Sequence, residues 1–171
     1  MKVISTTTPT KNEDVSLPFE CGEDGIYIAQ RDFSFVAYCD IDGKKGNLWF
    51  NVFKGCKYNG ASNPLNWPIE NYYGNAKKDI CGLGHDILYA FGGEVKGLGR
   101  KLKAGECDDY IRGSMREAGF TRKEAGIVDR AVRWFAHFNH FGKKYDKEDM
   151  HNNSEVVWVP MVVTYNYRKE I

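Results

Sequence analysis

Charge of one sign is scarce in this chain: 24 Lys+Arg stand against 23 Asp+Glu over 171 residues, a formal net charge of +1. So small an excess gives no electrostatic reason to expect a nucleic-acid binder, because neutralising phosphates needs a basic surplus or patch. Long apolar runs are missing too. The longest, VVWVPMVV at residues 156–163, falls far short of the ~20 residues that cross a bilayer, so no transmembrane segment is expected. The opening residues Met1, Lys2, Val3 and Ile4 lead into Ser, Thr and Pro rather than into the apolar centre of a signal peptide. Cysteines 21, 39, 56, 81 and 107 are odd in number and include no CxxC pair. Reduced thiols in a cytosolic setting are expected, not a disulfide scaffold or a zinc site built on cysteine.

Aromatic residues and glycine are plentiful. The chain is 14% aromatic and holds 18 glycines, roughly a tenth of its length against the usual ~7%. That combination implies much turn and loop held by large apolar side chains. The length fits one domain with or without an appendage. Hydrophobic residues at 42% and charged residues at 27% exclude wholesale disorder.

The patterning predicts an α+β fold, with N-terminal β-hairpins, two to three packed central helices and C-terminal strands. Residues 1–20, without periodicity, read as an extended or mobile arm. Residues 21–142 read as a single α+β domain, and 143–171 as a charged linker (143–149) followed by a β tail. Ile26 and Ile28, then Phe33, Phe35 and Ala37, alternate with their neighbours, and residues 48–53 (LWFNVF) are aromatic and β-branched. Asp42-Gly43 and Lys45-Gly46 suit a hairpin turn, since Gly tolerates φ > 0. Helices are expected over 75–91, stopped by Gly92-Gly93, over 106–117, ended by Gly119, and from the capping box Thr121–Glu124 to about His140. Residues 156–167 read as one or two strands, with Pro160 marking an edge or a break.

The informative stretch is DICGLGHDILY, residues 79–89. On a helix, Cys81, His85 and Tyr89 share a face, while Asp86 points about 100° away from His85. Gly82 and Gly84 ask for a reason, since each mid-helix Gly costs about 1 kcal/mol relative to Ala. Either a second helix or a ligand approaches closely there, or the helix starts near Leu83. Two flanking segments matter: KGCKYNGASNP (54–64), a small-residue loop able to turn carbonyls inward, and GECDD (105–109), which offers a carboxylate to His85.

Taken in order, Gly55, YNGASNP (58–64), Trp67, His85-Asp86 with Tyr89, Cys107-Asp108 and RAVRWF (130–135) resemble a phage and prophage family of uncharacterised proteins. It is the domain-of-unknown-function family numbered thirteen fifty-three. The likeness spans about residues 52–141, and Asn59 stands where that family usually has Asp. The same elements are similar to phospholipases A2, nearest to the compact, disulfide-poor domain of parvovirus capsid proteins. That similarity implies His85 as general base, Asp108 as its orienting acid with Tyr89 steadying it, and a Ca2+ ion on Asp86 and carbonyls of Tyr58, Gly60 and Ser62. Phospholipid would be the substrate, with phage virion proteins as partners and the virion or host cytoplasm as location.

Rival readings accompany this one. His85, Asp108 and Tyr89 also fit a buried network that merely joins two helices, in a component of the tail, baseplate or head-tail joint. Strand addition through the two terminal segments would suit such packing. A His-Asp-domain phosphohydrolase wants a further upstream His, and none precedes His85. Trp67, Tyr72 and Tyr73 read as core or as a membrane- or partner-facing surface. His137, His140 and His151 read as residues favoured by the end of a helix dipole rather than as metal ligands.

Overall fold

Alternation along two nine-residue strands decides the architecture. In a computed structural model that describes residues 1–6, 18–21, 26–58, 75–139 and 147–161, β1 (Lys2–Thr6), β2 (Phe19–Cys21), β3 (Tyr27–Ala29), β4 (Phe33–Ile41), β5 (Lys44–Val52) and β6 (Lys57–Tyr58) come first. They are followed by α1 (Asn75–Ala90), α2 (Ala104–Glu117), α3 (Arg122–Asn139), α4 (Lys147–Asn152) and β7 (Ser154–Pro160). The fold is α+β. An antiparallel sheet runs β1-β4-β5-β7, and β2-β3-β6 form a smaller one.

Phe35, Ala37, Cys39 and Ile41 on β4 pack with Leu48, Phe50 and Val52 on β5 into the core face. Opposite-phase residues such as Trp49 stay partly exposed. The hairpin between them turns on Asp42 and Gly43, at φ 54° and 76°, the pair of positive values that a tight two-residue turn requires. Lys45 and Gly46 are not part of that turn. They lie inside β5, and a Cβ at Gly46 would sit 2.6 Å from Trp158 Cζ2 and from the Val159 carbonyl. The glycine is there so that β7 can close on β5.

The helices cover one face of this sheet. Phe50 packs on Tyr110 of α2 with ring centroids 5.2 Å apart. A second apolar cluster, Cys81, Ile111, Met115, Phe120 and Ala125, joins α1, α2 and α3. The Thr121 capping box is formed as expected: Glu124 N–H donates to the Thr121 hydroxyl at 3.2 Å, and Thr121 N–H donates to the Glu124 carboxylate at 2.6 Å. Arg100 ties the start of α2 to the hairpin turn, donating to Glu106 at 2.7 and 2.8 Å and to Asp42 at 2.7 Å. That guanidinium brings the Glu106 carboxyl down to about 2.

The structure adds detail to three expectations. The first residues of the N-terminal arm form β1, paired to β4 with Val3 buried, because Val3 fills the space left by Gly113 on α2. The C-terminal tail is not separate: Ser154–Pro160 pairs with β5 in the main sheet, burying Val156 and Trp158. The two terminal segments thus supply the edge strands of this chain's own sheet. The charged linker at 143–149 ends in α4, whose last turn places Met150 in the core. Pro160 closes an edge strand, where its missing N–H is tolerated.

Candidate active site

α1 delivers His85 through its buried face. Cys81, His85, Leu88 and Tyr89 are all buried, one helical turn or two apart. The helix runs through Gly82 and Gly84, so the later start near Leu83 does not occur. Gly84 explains itself. A Cβ there would lie 2.5 Å from the Tyr110 hydroxyl and 2.7 Å from its ring, so only glycine lets α2 approach α1 this closely. Gly92 and Gly93, at φ 57° and 75°, then end the helix, with Gly93 N–H donating to the Leu88 carbonyl at 2.8 Å.

This close crossing brings Asp108 under His85. His85 Nε2 lies 3.4 Å from Asp108 Oδ1, and the Tyr89 hydroxyl donates to the same oxygen at 2.5 Å. On the other side of the ring, Nδ1 lies 3.0 Å from Asp86 Oδ1. His85 is 3% exposed and Asp108 0%, whereas the Asp86 side chain is 36% exposed. The imidazole is thus held between an inner carboxylate and an outer one that reaches solvent.

Burial opposes a charge on His85, but its hydrogen bonds to Asp108 and Asp86 outweigh it, and the pKa is raised above its ordinary 6.5. Burial and Asp108 push the Tyr89 phenol upward, keeping it a donor. Burial also pushes up the Cys107 thiol, with Asp108 adding to it, and raises Cys39 to about 12, which favours the protonated form of both.

The raised His85 value carries a pH dependence. A group whose pKa is higher in the folded state stabilises that state most below its unfolded value, about 6.5, and loses the contribution as pH rises through the folded value. The urea midpoint of the native chain should therefore fall toward that of His85→Gln as pH is raised from about 6 to 9. A gap between the two proteins that stays constant over that range would mean the ring does not titrate upward.

Arg133, for which the sequence reading assigned no role, completes the inner side. From α3 it donates Nε to Asp129 and Nη2 to Asp109, each at 2.9 Å, and places Nη1 4.0 Å from Asp108 Oδ2. That Oδ2 atom is buried and has no hydrogen-bond partner among the described residues. The i, i+4 spacing of Asp129 and Arg133 was the available signal.

The structure thus brings together His85, Asp86, Tyr89 and Asp108. Tyr58 is buried in β6, its ring tilted against Phe19 and Tyr27 at centroid distances of 6.0 and 6.5 Å. Gly60 and Ser62, with Trp67, Tyr72, Tyr73 and His140, lie outside the described residues, as does the side chain of His137. His151 stacks on Phe91, ring centroids 4.2 Å apart. Among the described residues no group of three or more His, Cys, Asp or Glu is placed to hold a metal ion. Asp86 is nonetheless the hard, solvent-reaching oxygen donor that Ca2+ favours, and an ion there would draw its other oxygens from backbone carbonyls.

No family model, no curated protein and no solved structure matches this chain. No described helix is long and apolar enough to cross a membrane.

Proposed function

We propose that this chain is a phage-encoded hydrolase that cleaves a phospholipid ester, with His85 as general base. One observation carries the reading: a single buried oxygen, Asp108 Oδ1, meets both His85 Nε2 and the Tyr89 hydroxyl, while Nδ1 faces outward onto half-exposed Asp86. Asp108 fixes the tautomer with its proton on Nε2, as orienting carboxylates do for catalytic histidines. Nδ1 is then the nitrogen that takes a proton from attacking water once Asp86 turns away from it. Bound Ca2+, held by Asp86 and by carbonyls of Tyr58, Gly60 and Ser62, would polarise the ester carbonyl and offset its developing charge. Asp108 Oδ2 has the Arg133 guanidinium 4.0 Å away but no hydrogen bond among the described residues, and a buried carboxylate oxygen left so supports a working site.

The test is hydrolysis of phospholipid vesicles with Ca2+ and with chelator. His85→Ala should lose about 10²–10⁴ in rate, and the native rate should rise with pH as His85 gives up its proton. Calcium-dependent hydrolysis that survives His85→Ala unchanged removes the proposal.

The near-complete burial of His85, with a carboxylate on each nitrogen, favours a second reading: a virion component whose network joins α1 to α2. Purified particles carrying the chain in fixed copy number, with no vesicle hydrolysis, would select it.

A further inference from the structure

A cavity of about 450 Å³ opens where α2, β1 and the start of α3 meet. Its wall carries Lys2 from β1, Arg112 and Arg116 from α2 and Arg122 from α3, against one carboxylate, Asp109. That carboxylate is already engaged. It accepts from Arg112 at 2.7 Å and from Arg133 at 2.9 Å. Arg112 also lies 3.5 Å from Asp129. Lys2, Arg116 and Arg122 have no carboxylate partner among the described residues. The chain as a whole is almost neutral, so three cations around one hollow without a carboxylate partner among the described residues are a local concentration of charge, not a reflection of composition.

The hollow is built by close packing. A Cβ at Gly113 would lie 2.8 Å from Val3 Cβ, so the glycine lets β1 lie directly on α2 and brings Lys2 beside the arginines. Arg122 and Ala125 line it from the first turn of α3, adding the positive end of that helix. Arginine forks match phosphate oxygens in pairs, and cations in a concave site attract an anion more strongly than on a flat surface.

We propose that this cavity binds a phosphate group, carried by a small soluble phosphate ester or by an anionic lipid headgroup. Its volume is that of a small-molecule site, and its charge is focused on one hollow rather than strung along a backbone track. Its lining does not include His85, and the proposal does not depend on the hydrolase reading.

The experiment titrates the full chain with inorganic phosphate and glycerol 3-phosphate at constant ionic strength. In parallel it measures cosedimentation with phosphatidylcholine vesicles with and without phosphatidylglycerol. Arg116→Gln combined with Arg122→Gln should weaken binding at least about tenfold, while Lys44→Gln combined with Lys54→Gln, exposed cations elsewhere, should leave it unchanged. All four side chains are exposed, so folding is expected to persist, and the urea midpoint checks it. Saturable binding of the soluble probes assigns the site to a free phosphate ester; binding only to the anionic vesicles assigns it to a headgroup. No saturable binding in either arm, or an equal loss in the Lys44/Lys54 variant, overturns the proposal.

Discussion

Asp108→Ala is expected to lower the unfolding free energy by about 3–5 kcal/mol, the usual result of removing one member of a buried charged cluster. The alanine would strip His85 Nε2 and the Tyr89 hydroxyl of their shared acceptor and leave Arg133 Nη1 without its distant partner. Arg133 reaches solvent, but the His85 ring and the Tyr89 hydroxyl are buried and have no water to fall back on. Asp108→Asn should cost far less, about 1 kcal/mol, because an amide oxygen at the Oδ1 position still accepts from both neighbours. Tyr89→Phe should cost about 1 kcal/mol alone and couple to Asp108→Asn in a double-mutant cycle. Urea denaturation at a fixed pH near 6 reads all of these. An Asp108→Ala protein as stable as the native chain would mean that the helix crossing does not depend on this carboxylate.

Gly93→Ala should be about as damaging, by about 4 kcal/mol or more, for a reason that has nothing to do with chemistry at the site. Gly93 has φ +75°, and a Cβ there would lie 2.0 Å from the Leu102 carbonyl oxygen, a backbone atom that cannot swing aside. The two residues are already joined by Leu102 N–H donating to the Gly93 carbonyl at 2.8 Å. This clamp fixes the loop between α1 and α2, and so fixes where Asp108 arrives beneath His85. Gly99→Ala is the matched control: φ is +81° and nothing lies within 4 Å of the new Cβ, so only the left-handed backbone penalty of about 1–2 kcal/mol remains. Thermal unfolding of the two variants separates the clash from the torsion. Equal losses would show that the close approach at Leu102 relaxes freely.

These two positions differ in how far the sequence announced them. Asp108 was visible as one of the acids in GECDD (105–109) that could face His85, and only the resemblance singled it out as the orienting carboxylate. Gly93 was visible only as half of a stop signal. Its contact with Leu102 depends on how the following loop folds back. Gly84 lies between the two cases, since its cost in a helix called for either a close neighbour or a later helix start, and the neighbour, Tyr110, came from another element.

The sequence by itself determined which faces of β4, β5 and α1 turn inward. Period-two alternation set the core sides of β4 and β5, steps of three and four put Cys81, His85 and Tyr89 on one side of α1, and local hydrogen bonding started α3 at Thr121. Those signals are written over a few neighbouring residues. Tertiary structure alone decided that β1 and β7 belong to one sheet, that Gly46 and Gly113 make room for it, and that Arg133 reaches Asp109 and Asp108 from α3. A pattern of burial states that a residue needs a partner, not which one. The choice is made when distant segments compete for the same space, and here the small residues settle who fits.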